Sequence, residues 1–203
     1  AKLVAATGKS WPTISNTITN PDYTDVFGEN GSLKGEYASF CGIAIGTRHI
    51  KISILDFTLR CKKEWVSELI ENLNKCDINT ERIDFENHSI TACINTPRDI
   101  DELSERLSAI IDNCITICSN LISVCVASTG IINRETQTIV KCYSNAKLDN
   151  VKLSDIISES VLNRLKKSGI SISIEHNVNA CAVYEKEMIY RNVKLKKDIK
   201  VKK

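Results

Sequence analysis

The amino-acid sequence predicts an α/β fold built on a mixed sheet, and two observations predict it. First, segments with the two-residue alternation or unbroken apolar run of a strand interleave with segments whose apolar residues recur every three or four positions. Second, two of the strand-like segments finish at glycine or polar residues that lead straight into a turn or a helix. Open α/β sheets bind ligands at such carboxyl ends. In chain order the pattern reads strand, strand, helix, strand, helix, strand, turn, helix, strand, helix.

The elements follow from the residues in order. Residues 3–18 read as helix, turn, helix. Gly8 stops the first where a left-handed residue is wanted, Ser10 caps the second, and Pro12 is tolerated in its first turn. Ile14 and Ile18 share a face that can pack on Leu3 and Ala6, and the opposite face shows Trp11, Thr13, Asn16 and Thr17. Residues 20–39 are polar and turn-rich. Residues 41–46 form a strand ending in Gly46, and residues 49–57 alternate as a half-buried strand does. Residues 64–76 are helical, with Val66, Leu69, Ile70 and Leu73 on one stripe, and residues 83–94 supply the next strand. Thr96-Pro97-Arg98-Asp99 has the form of a helix start, with Thr96 as cap, Pro97 at the first position and an acid three residues after the cap. Ile100, Leu103, Leu107, Ile110, Cys114 and Ile117 mark one face of the long helix that follows. The apolar run 121–126 breaks into Ala127-Ser128-Thr129-Gly130 and is followed by a hairpin over 131–140. Ser154 caps a further helix that Gly169 ends, residues 170–176 form the last strand, and residues 178–189 the last helix.

Composition sets limits on function. The chain has 203 residues, enough for one domain and a small appendage, with 42% hydrophobic and 26% charged residues, as in soluble globular proteins. No apolar run approaches the ~20 residues that span a bilayer, and no secretory leader is expected. Nine cysteines, an odd number with no C-x-x-C pair, indicate neither a disulfide framework nor a zinc knuckle and point to the reducing cytoplasm. The net charge of +2 is uneven: residues 193–203 hold six lysines against Asp198, while residues 1–20 hold Lys2, Lys9 and no acid. The body between is mildly acidic.

Four ordered motifs carry a resemblance. Val124 to Asn133, Ser144-Asn145, Asn150-Val151-Lys152-Leu153 and Glu175 to Ala180 resemble the I-G-x-G-x-P-G-I-V-D, S-P-N-L, N-V-P-L and E-N-D-A-N-A patterns of the ROK family. That family joins sugar kinases and sugar-responsive repressors. The resemblance implies the amino-terminal lobe of an actin-like, ribonuclease-H-like ATPase fold over residues 40–192. Ahead of it, Ala6-Thr7-Gly8-Lys9-Ser10-Trp11-Pro12-Thr13-Ile14-Ser15 resembles the A-T-G-L-S-x-x-T-V-S of the family's winged helix-turn-helix. This implies a partial winged helix-turn-helix and linker over 1–39. Residues 193–203 then form a basic tail or the start of a second lobe. The family's carboxyl lobe carries a histidine–cysteine zinc site with no counterpart in these residues, so no metal and no cofactor are expected here.

The resemblance assigns DNA contacts to Ser10, Trp11, Pro12, Thr13, Asn16 and Thr17. Asparagine can pair with adenine, and threonine can meet a thymine methyl or a phosphate. The basic load is thin, so operator binding calls for a homodimer on two half-sites. Family kinases hold ATP phosphate with D-I-G-G-T-K, where this chain has Ala44-Ile45-Gly46-Thr47-Arg48-His49. Their catalytic base is the aspartate of E-N-D-A-N, where this chain has Asn177. A methyl cannot manage a metal, and a carboxamide cannot take a proton near neutral pH. Kinase activity is therefore not expected. Gly130, Asn145, His176 and Asn177 remain as candidate ligands for a small sugar or sugar-phosphate effector; the alternative is that Asn145 and Asn177 satisfy strand-end backbone groups. The expected function is a transcriptional regulator, most simply a repressor, with a catalytically inactive sugar-sensing lobe. Its rivals are a divergent sugar kinase, with His176 standing in as base, and an interaction module that binds neither DNA nor sugar.

Overall fold

The computed structural model describes residues 38–56, 61, 63–86 and 89–182. The residues expected to contact DNA, Ser10, Trp11, Pro12, Thr13, Asn16 and Thr17, the basic end 193–203, and the expected last helix past residue 182 lie outside the described residues.

The sheet starts from a tight hairpin. β1 (Ser39–Ile45) and β2 (His49–Asp56) pair antiparallel, with Cys41 opposite Ile54, Ile43 opposite Ile52 and Ile45 opposite Ile50. Alternation puts all six of these side chains on one buried face. α1 (Lys63–Lys75) buries Val66, Leu69 and Leu73. The single strand expected over 83–94 is instead two, β3 (Thr80–Glu86) and β4 (Ser89–Asn95), paired antiparallel. The reason is that β2 offers an edge to one strand only: Ala92 to Asn95 of β4 take it, from Ile52 to His49, and β3 is left on the outside of β4.

α2 (Ile100–Ile117) lies across the buried face, with Leu103, Leu107, Ile110, Ile111 and Cys114 inward; the Cys41 and Cys114 sulfurs are 3.5 Å apart. Its cap is Asp99, not Thr96. The Asp99 carboxylate accepts from the Asp101 and Glu102 N–H groups at 3.0 and 3.4 Å. Thr96 does not cap: its N–H donates to the Arg48 carbonyl at 2.9 Å, which ties it to the β1–β2 turn, and its buried Oγ1 has no hydrogen-bond partner.

β5 (Leu121–Ser128) runs parallel to β1, and β9 (Ser171–His176) runs parallel to β5, giving the order β3-β4-β2-β1-β5-β9. Between them a small antiparallel sheet, β6 (Ile131–Asn133), β7 (Thr138–Lys141) and β8 (Val151–Lys152), leaves and returns. Asn133 shapes its hairpin, accepting from the Glu135 and Thr136 N–H groups at 3.0 and 3.1 Å, an Asx turn.

The helix expected to start at Ser154 is divided. Leu153–Ile156 form a 3-10 turn, and α3 (Glu159–Lys167) begins after Ser158. Two pulls separate the pieces: the Leu153 N–H donates to the Gln137 carbonyl at 2.9 Å, and the Ser158 N–H donates to the Ser108 hydroxyl at 2.8 Å. Gly169 does end α3, in the left-handed conformation (φ 66°), and the Ile170 N–H closes onto the Leu165 carbonyl. The result is a mixed α/β structure on a mixed sheet. Among the described residues no helix is long and apolar enough to cross a membrane.

Candidate functional site

Strand register builds the site. Ile45 of β1 pairs with Ser128 of β5, and Ser128 pairs with His176 of β9. These three residues therefore form one row across the carboxyl edge. One step beyond that row lie Gly46, Thr129 and Asn177. Ala44 sits one row back, opposite Ala127 and Lys51.

Each strand end turns differently. The Gly46 N–H donates to the His49 carbonyl at 3.0 Å, closing the β1–β2 turn so tightly that a Cβ on residue 46 would lie 2.9 Å from that oxygen. After β5 the chain passes through Gly130 at φ 109°, a conformation that side chains rarely adopt. Thr129 shares a hydrogen bond with Ser144 at 2.8 Å, and Ser144 contacts the Cys142 sulfur at 3.3 Å. After β9 a helical turn begins at residue 177.

A cavity of about 330 Å³ opens beside the β1 end, lined by residues 45–47, 96–98 and 144–148. Two hydrogen bonds join its walls: Thr96 to the Arg48 carbonyl, as above, and the Asn145 side-chain N–H to the Arg98 carbonyl at 3.4 Å. Asp149 clamps the base of the 144–148 wall. Its carboxylate accepts from the Cys142 N–H at 2.8 Å and pairs with Lys141 at 2.5 Å.

Of the four candidate sugar ligands, Asn145 lines this cavity, and its Oδ1 also accepts from the Lys147 N–H at 3.1 Å. Gly130 sits at the β5 end, where a Cβ would strike the Lys141 carbonyl. His176 and Asn177 are at the β9 end and do not line the cavity. The His176 Nδ1 and the Asn177 Oδ1 both accept from the Val178 N–H, at 3.3 and 2.8 Å. The amides of Asn145 and Asn177 thus each satisfy a neighbouring backbone group while keeping further donor capacity. The sequence reading did not single out Thr96, Arg98 or Lys147 as cavity residues. A signal for Lys147 was present, since it is a cation two residues past Asn145.

The carboxylate nearest the row, Glu175, is already engaged. Burial pushes its pKa up, but the His176 N–H, the Asn179 amide and Arg134 (2.8 Å) outweigh that and hold it below the usual range.

The fold is similar to those of several solved structures. One is a ROK family transcriptional regulator, a homologue of the E. coli MLC protein, at 14% identity and TM-score 0.47, covering 76% of this chain and 32% of the other. Another is a glucokinase from Balamuthia mandrillaris in complex with glucose, at 9% identity and TM-score 0.40, covering 83% and 36%. This chain spans about a third of the length of those structures. No family model matches the chain, and no curated protein matches it.

One pH effect follows from the clamp. The Cys142 N–H, and after it the Lys141 ammonium, hold the Asp149 carboxyl below its ordinary value of 3.8. A group that titrates lower when folded than when unfolded contributes stability that is complete above its unfolded value and lost as pH falls through the folded one. Acid is therefore expected to destabilise the protein below about pH 4. Asp149→Asn should flatten that acid limb in urea melts run across the range; an unchanged slope would show that the clamp is not formed.

Proposed function

We propose that the chain is part of a ROK-like transcriptional regulator whose kinase-like lobe senses a carbohydrate and does not phosphorylate it. One observation carries this reading. The strand register brings residues 44–46, 128–130 and 176–177 to a single edge, and those positions hold a methyl, hydroxyls, glycines, an imidazole and an amide, without a carboxylate. Such a set can hold sugar hydroxyls, since hydroxyls and amides both donate and accept. It lacks the two carboxylates of the family's kinases, the one that positions a metal and the one that takes the sugar proton. The order of four antiparallel strands followed by two parallel ones supports the actin-like lobe that the motifs imply. DNA binding rests on Ser10, Trp11, Pro12, Thr13, Asn16 and Thr17 through the motif alone, and a dimer is the form that would read paired half-sites.

With ATP, magnesium and a panel of hexoses, ADP release is expected to stay at background. Retardation of promoter DNA is expected at low salt and to weaken steeply as salt is raised. Phosphorylation of any hexose would replace this reading with the divergent kinase, and His176→Ala would then test the imidazole as base. A folded protein that retards no DNA and binds no sugar would leave the interaction module.

A further inference from the structure

We propose that the cavity between the 46–47 turn, the 96–98 segment and the 144–148 turn is an oxyanion site, and that the effector is a phosphorylated monosaccharide whose phosphate sits there. This rests on the sugar-sensing reading above and names the class of sugar. The residues lining the cavity include two cations, Arg98 and Lys147, and no aspartate or glutamate. Two cations with no carboxylate among the lining residues suit a phosphate monoester, whose oxygens accept charge-assisted hydrogen bonds.

Both cations can turn to a ligand. Lys147 pairs with Asp99 at 3.2 Å, but both side chains are more than half exposed, and such pairs are weak enough to exchange for a doubly charged oxyanion. Arg98 is anchored through its main-chain carbonyl, which accepts from Asn145, and its guanidinium has no ion-pair partner among the described residues. Thr96 lines the cavity as well, with its Oγ1 buried and without a hydrogen-bond partner. The β1–β2 turn does not compete for the phosphate through Gly46, because that N–H is committed to the His49 carbonyl.

Size selects the ligand within the phosphate class. About 330 Å³ is at the lower end of small-molecule sites. It accommodates a monosaccharide with one phosphate.

The test is calorimetric titration of the 203-residue chain at low ionic strength. The probes are glucose, mannose, galactose and fructose 6-phosphates, the four parent sugars, inorganic phosphate and ATP. At least one hexose 6-phosphate is expected to bind about tenfold or more tighter than both its parent sugar and inorganic phosphate, as one charge-assisted contact would give. Arg98→Gln and Lys147→Gln should each weaken that ester about tenfold, leaving the thermal midpoint as in the unsubstituted protein. The proposal is overturned if no ester outbinds its parent sugar, if inorganic phosphate or ATP binds as tightly as the best ester, or if both variants keep its affinity. Binding of neutral sugars alone, with DNA retardation intact, would leave the regulator standing and remove only this inference. Hexose phosphorylation would remove the regulator itself.

Discussion

Gly130→Ala is expected to destabilise the protein by about 3–5 kcal/mol, well beyond the usual effect of a single methyl. Two causes add. At φ 109° the residue occupies a backbone region that costs an L side chain about 1–3 kcal/mol. The added Cβ would also lie 1.8 Å from the Lys141 carbonyl oxygen and 3.0 Å from the Cys142 Cα, all of it main chain. That oxygen cannot swing aside as a long side chain would, because Lys141 is paired with Ile131 in the hairpin and Cys142 is fixed by Asp149. The β5 end would separate from the segment that carries Ser144 and Asn145. With a urea slope of about 2 kcal/mol per molar, the midpoint should fall by roughly 2 M. A midpoint within about 0.3 M of the parent would refute the described geometry at this turn.

Leu107→Ala should cost about 2–5 kcal/mol, because it leaves a cavity where α2 meets the sheet and its neighbours can collapse only in part. Leu107 is 0% exposed and sits mid-helix, with Leu103, Ile110 and Ile111 buried around it. Tyr143, 75% exposed beside the site, is the control: Tyr143→Ala removes a larger side chain and should move stability by no more than about 0.5 kcal/mol. Equal losses for the two variants in the same urea melts would contradict the assigned core.

The central strands were readable because their side chains obey one rule each. β1 and β2 alternate cleanly, and β5 is an apolar run that stops at Ser128, so their positions followed from the residues, while their pairing needed the structure. Where the reading erred, a distant partner decided the outcome. The Arg48 carbonyl takes the Thr96 N–H and ties that residue to the β1–β2 turn, leaving Asp99 as the cap, and the Ser108 hydroxyl takes the Ser158 N–H and divides a helix in two. The candidate site divides in the same way. Gly46, Gly130 and Asn145 belong to local turns and motifs and were visible, whereas Thr96 and Arg98 reach the cavity only through hydrogen bonds to residues 48 and 145.

The last strand of the sheet has a further consequence. The outward N–H of Ile174 on β9 is taken by the Gln137 side-chain oxygen at 2.7 Å, and Arg134 from the same hairpin turn pairs with Glu175. A bare strand border is a template on which another molecule can add a strand of its own. Here one carboxamide and one guanidinium occupy that border, so the hairpin doubles as a guard against edge-on polymerisation.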